Sequence, residues 1–229
     1  MRADTKATTD DLLNVAEPLF AKHGVEHIAL TKIVSTSRQR NRSALHYHFG
    51  SREGVLAAVL NRRLKEINAL RQAMVDESER EGPSLTSLVR AVVAPFCLLV
   101  LNEPWGGDYV SIMAQLKFHP RLLGASTVDD TNLKPMRRCK QLIERALPDI
   151  PADVLGRRFR WLSDGVVFTV AQWSRHTAKP KRTREAIDAL IDELIAYGVA
   201  ALSAPVTRQT AAEQSSDAIR VAQRGELTN

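Results

Sequence analysis

Only two cysteines occur in 229 residues, Cys97 and Cys139, and they stand 42 positions apart in no metal-type spacing. Neither a disulfide framework nor a zinc site is indicated, and a reducing cytoplasm is the expected compartment. Aromatic residues make up 5% of the chain, which argues against a base-stacking platform for single-stranded nucleic acid. Long apolar runs are missing as well. The most apolar stretch, 91–101, contains Pro95 and is too short to span a bilayer, so no membrane partner is expected. The first residues are polar and acidic through Asp11, without the apolar centre of a signal peptide. The chain has no G-x-S-x-G nucleophile elbow, H-E-x-x-H zinc helix, P-loop or dinucleotide fingerprint, and its acids and histidines beyond residue 65 form no recognisable pair. The expectation is therefore no enzyme, no cofactor and no metal.

What is present is a helical pattern with enough apolar content, 44%, to bury a core. Apolar residues recur at three and four positions along nearly every periodic stretch, which predicts an all-α fold. Leu12, Leu13, Ala16, Leu19 and Phe20 form the stripe of a first helix capped near Thr8 or Thr9, with Pro18 inside it and Gly24 as its stop. Two short helices follow, over about 30–36 and 42–49, flanking a polar corner as in a helix-turn-helix. Gly50 and Ser51 open a long helix running towards Val75, and breaks at 102–107, 119–127, 147–151 and 178–182 leave room for about five more. That makes about nine helices. The polar composition beyond Pro205 predicts a mobile tail.

The net charge is +6, but residues 1–65 hold 11 Lys/Arg against 6 Asp/Glu, so most of the excess lies in the first third. Such asymmetry suggests that this part meets a polyanion. Within 38–63, six arginines, Arg38, Arg40, Arg42, Arg52, Arg62 and Arg63, are opposed by Glu53 alone. Duplex DNA calls for cations against phosphate and for forked donors against base edges, and Arg40, Asn41, Arg42, Ser43, His46 and Tyr47 offer both across the corner and the second short helix.

The stretch from Leu19 to Leu56 resembles the DNA-binding domain of TetR-type (tetracycline-repressor-like) transcriptional regulators. The residues that carry the likeness are Gly24 after the first helix, the helix pair, His46-Tyr47-His48-Phe49, and Ser51-Arg52-Glu53 at the start of the long helix. The resemblance implies that Thr31 and Lys32 meet phosphate, that Arg42, Ser43, His46 and Tyr47 face the groove, and that Arg52 clamps phosphate again. For His48 it leaves packing and phosphate contact open. The chain departs from the usual pattern at the corner Ser37-Arg38-Gln39-Arg40, one residue longer than the common Gly-containing turn, and at His46, where Tyr is common. It further implies a homodimer reading a palindromic operator, most often as a repressor, with domains at 1–52 for DNA, 53–204 for effector and dimerisation, and a tail at 205–229.

Beyond residue 65 the likeness weakens and pattern must serve. Phe96, Cys97, Trp105, Tyr109, Met113, Leu116, Phe118, Trp161 and Phe168 concentrate bulky side chains where an effector pocket would lie, with Pro95 expected to bend its helix and open space. A core filled by the same residues explains them equally. Such a lining would suit a hydrophobic or amphipathic small molecule. The stripes at 154–173 and 187–199 have the apolar content for a four-helix dimer contact, for which Leu162, Val166, Val170, Leu190, Leu194 and Tyr197 are the candidates.

Overall fold

The structure, a computed structural model, describes residues 2–37, 47–119, 122 and 127–206. Among these residues it is all-α, without a strand. Eight α-helices are described: α1 (Arg2–His23), α2 (Leu30–Thr36), α3 (Arg52–Glu81), α4 (Leu85–Asn102), α5 (Gly106–Phe118), α6 (Asp130–Ala146), α7 (Ala152–His176) and α8 (Arg184–Ser203). Tyr47–Phe49 are also helical, at the end of the predicted 42–49 helix, and 3-10 turns occupy Val25–His27 and Lys179–Lys181. Of the predicted tail at 205–229 all from residue 207 on, and of the predicted corner and following helix residues 38–46, lie outside the described residues.

Local chemistry sets the boundaries. Gly24, at φ +89°, stops α1 where the sequence places the stop, although the helix begins at Arg2 rather than at Thr8 or Thr9. The Ser51 hydroxyl accepts from the amide of Gly54 at 3.1 Å and starts α3. That helix outruns its expected end near Val75, because the acids of 76–81 continue it to Gly82. Ser84 and Ser87 form a reciprocal capping box at the head of α4.

The core is organised around α4, which touches α3, α5, α6, α7 and α8. By length and hydropathy α4 alone among the described helices could cross a membrane, and it is longer than the 11-residue apolar run suggests. Its apolar surface is instead spent inside the protein, with eleven of its 18 residues buried. Pro95 does not break it. Proline lacks the amide that would serve the carbonyl four residues back, and that carbonyl, of Ala91, accepts instead from Nε of Arg71 on α3 at 3.2 Å.

Candidate nucleic-acid interface

The N-terminal head is fixed from within. Ile33 and Val34 of α2 are buried and α2 packs on α1, leaving Thr31, Lys32, Ser35 and Thr36 outward. Thr31 and Lys32 thus sit in the first turn of an exposed helix face, where a hydroxyl and a cation favour an anion. Tyr47 is 85% exposed, its ring edge-on to His48 at 5.2 Å, while Phe49 packs against the core. His48 is half-buried between those two rings. Arg40, Asn41, Arg42, Ser43 and His46 lie outside the described residues.

Arg52, expected to clamp phosphate, turns its hydrogen bonds inward. One amino group donates to the carbonyl of Glu26 and the other to Glu53 at 3.0 Å, so the side chain braces the turn after α1 against the start of α3. Its side chain remains 30% exposed.

Sequence reasoning missed the residues that join this head to the rest. Glu17 of α1 is 1% exposed and receives Arg63 Nε at 3.1 and 3.0 Å, Arg63 Nη2 at 2.7 Å and Arg62 Nη2 at 3.2 Å. Burial opposes the charge of Arg63, but the carboxylates of Glu17 and Glu66 hold its guanidinium above the ordinary range. The same guanidinium lies 4.0 Å from the centre of the Trp105 ring. Gln115 of α5 completes the junction: its amide nitrogen donates to the carbonyls of Phe20 and Ala21 at 3.3 and 3.1 Å, and its oxygen accepts from Val25 at 3.3 Å. Apolar stripes reveal buried faces, whereas a Glu on one helix and two Arg on another carry no mark of pairing in sequence.

The aromatic set proposed as an effector pocket does not converge. Tyr109 and Leu116 are buried in the core and Phe96 nearly so, with Met113 and Trp105 at its margin, because α4 and α5 fill the interior with these side chains. Phe118 and Trp161 are instead 73% and 66% exposed, and Phe118 stacks on Phe168 with centroids 4.9 Å apart on the outer side of α7. The dimer set is likewise divided. Leu162, Val166, Val170 and Leu194 are buried within the single chain and serve its own core, Leu190 is half-buried, and Tyr197 alone of the six is exposed. Helical phase explains the exchange, since Trp161, Gly165 and Phe168 lie on the face of α7 away from Leu162 and Val166.

Two clefts stand out among the described residues. The larger, about 800 Å³, is polar and lies where the end of α1 meets α4, α5 and α7, with Lys22, Asp108 and Arg175 in its lining. Burial raises the Asp108 carboxyl above its ordinary range, opposed by Lys179. The smaller, about 160 Å³, lies between α3, α4 and Trp105. Among the described residues no cluster of His, Cys, Asp or Glu could hold a metal ion. Burial pushes the Cys97 thiol up to about 12 and that of Cys139 up to about 11, so both are inert thiols in the core.

The C-terminal part of this bundle has a counterpart among known protein families. Residues 90–201 match the family model of the tetracyclin repressor-like C-terminal domain. On that match, residues 90–201 form a tetracyclin repressor-like C-terminal domain, and the all-helical fold of the described residues agrees with a TetR-type transcriptional regulator. Among solved structures, one from Rhodococcus sp. described as a TetR-family transcriptional regulator aligns with a TM-score of 0.48 at 14% identity, covering 82% of this chain and 98% of that one. No curated protein matches.

Proposed function

We propose that this regulator binds a palindromic duplex as a homodimer, most simply as a repressor in the cytoplasm, and lets go when a small molecule occupies its helical domain. The observation that carries the reading is the outward face of the head. Thr31, Lys32 and Tyr47 are exposed on elements anchored by Ile33, Val34 and Phe49, and the intervening sequence supplies Arg38, Arg40, Asn41, Arg42, Ser43 and His46. In this reading Arg42 meets a guanine edge, and Arg52 acts chiefly by setting the angle of the head. Residues 1–52 form the DNA-binding part, 53–204 the effector and dimerisation part, and 205–229 a tail. Catalysis has no place in it.

Pairing falls to α7 and α8, whose exposed Trp161 and Tyr197, with the half-buried Phe168, suit contact with a second copy better than contact with water. Release is a population shift. The effector must bind the arrangement that cannot span two half-sites better than the one that can. Glu17 and Gln115 offer the route, since each ties α1 to a helix of the larger domain.

A mobility-shift titration with the palindromic DNA beside its own gene tests the reading. Binding should weaken with salt at a logarithmic slope of about −0.9 per neutralised phosphate. Arg42→Ala should relax base preference, whereas Lys32→Ala should weaken all duplexes alike. Unchanged migration at low salt would count against DNA binding itself.

A further inference from the structure

Arg71 is a whole positive charge sealed inside the bundle, 1% exposed. Its Nε serves the Ala91 carbonyl that Pro95 leaves without a helical donor, and one amino group donates to Asn68 Oδ1. The other, Nη2, is buried without a partner, and among the described residues no carboxylate pairs with the guanidinium. Tyr109 of α5, fully buried beside it, has a hydroxyl that is also without a partner. The buried Arg63, by contrast, has Glu17.

The structural demand does not account for this charge. A neutral amide donor would satisfy the Ala91 carbonyl equally well, whereas an unpaired buried cation is expensive. Burial pulls the Arg71 guanidinium below its ordinary range. Two unfilled donors of this kind, one of them charged, match the oxygens of a single carboxylate.

Neither Arg71 nor Tyr109 lines the smaller cleft, but residues that adjoin them do. Its apolar wall includes Ile67, Leu70, Leu98 and Leu99. Ile67 precedes Arg71 by one helical turn, Pro95 of the same lining adjoins Phe96, whose ring centre is 5.5 Å from the Arg71 guanidinium, and Trp105 stands edge-on to Tyr109 at 6.0 Å. The acids of the lining are Glu66, paired with Arg63 at 3.2 Å, and Glu103. They disfavour a polyanion and leave room for one negative charge on an apolar body.

We propose that Arg71 and Tyr109 receive the carboxylate of a small organic acid whose apolar part occupies the cleft beside Trp105. The proposal rests on the ligand-responsive reading above and names its ligand class. Calorimetry and thermal shift on the full chain at fixed chloride, with hexanoate and phenylacetate against hexan-1-ol and 2-phenylethanol, test it. At least one acid should bind ten times more tightly than its alcohol. Arg71→Gln, which keeps a donor for Ala91, should abolish that preference while retaining DNA binding. Tyr109→Phe should weaken the acid several-fold and leave the alcohol unchanged, and it decides the matter with the wild-type comparison should Arg71→Gln fail to fold. Equal affinity for acid and alcohol, no binding of either acid, or the same stabilisation by chloride or phosphate alone would overturn the proposal while leaving the DNA reading intact. Acid binding with the expected preference and no effect on DNA would uphold it and count against ligand-driven release.

Discussion

A carboxylate that is 1% exposed keeps its charge only among cations, and Glu17 has two, Arg62 and Arg63, on a helix far away in sequence. Three of the four short contacts come from Arg63, so removing the acid leaves that cation desolvated and unmatched. Losing one partner of a buried pair typically costs about 3 to 5 kcal/mol. Glu17→Ala should therefore lower the unfolding free energy by about that amount in urea titration, with the denaturant slope unchanged. Adding Arg63→Met should recover part of the loss, because the stranded charge goes with it. If Glu17→Ala were within about 0.5 kcal/mol of wild type, a range usual for surface substitutions, the pair would hold nothing together.

At the scale of elements, the start of α3 shows how a few polar atoms set a junction. The carboxyl of Glu53 is held below its ordinary range, first by its own backbone amide, against a smaller penalty from burial, and then by Arg52 and Ser51. A depressed carboxyl stabilises the fold above its unfolded pKa of about 4.3 and loses that effect as pH falls through the lower folded value. Glu53→Gln should thus melt below wild type at pH 7, with the gap closing towards pH 3. A gap that widened on acidification would refute the assignment. The crossing of α8 with α4 and α7 depends on Gly198, where an added Cβ would stand 2.8 Å from Val89 Cγ1 and 3.0 Å from Leu162 Cδ1. Those are side-chain ends that can yield, so Gly198→Ala should cost about 1 to 3 kcal/mol in denaturant titration rather than prevent folding. Elements of this kind are legible in sequence as far as periodicity and caps reach. The stripe of α1, the Gly24 stop, the Ser51 start and the four later breaks all appear at the expected places. Periodicity identifies a helix with an apolar face but does not say which of two apolar stripes turns inward. For that reason Leu162, expected at a dimer contact, is buried in the chain's own core, while its neighbour Trp161, expected at a pocket wall, is exposed.

For the whole molecule the question is why a chain with a sufficient core leaves Trp161 and Tyr197 in water. On α7, Trp161, Gly165 and Phe168 share a face opposite the buried row of Leu162, Val166 and Val170, and a Cβ added at Gly165 would meet nothing within 4 Å. Glycine inside an exposed helix costs roughly 1 kcal/mol relative to alanine, which a close helix from a second copy would offset and water would not. Tyr197 is exposed on α8 immediately before the Gly198 contact with Leu162, so the two exposed aromatics flank one helix crossing. If this face pairs two copies, Trp161→Glu together with Tyr197→Glu should leave the folded chain intact, because neither side chain is needed inside it, and should convert a sedimenting dimer to monomer. Circular dichroism should show full helicity in the same sample. Affinity for a two-half-site duplex should then fall by about 100-fold or more, as the second head loses its tethered concentration, while affinity for a single half-site stays the same. Leu162→Glu, buried in the single chain, should instead lose helix and dimer together. A double variant that still sedimented as a dimer would place the contact between copies on another surface.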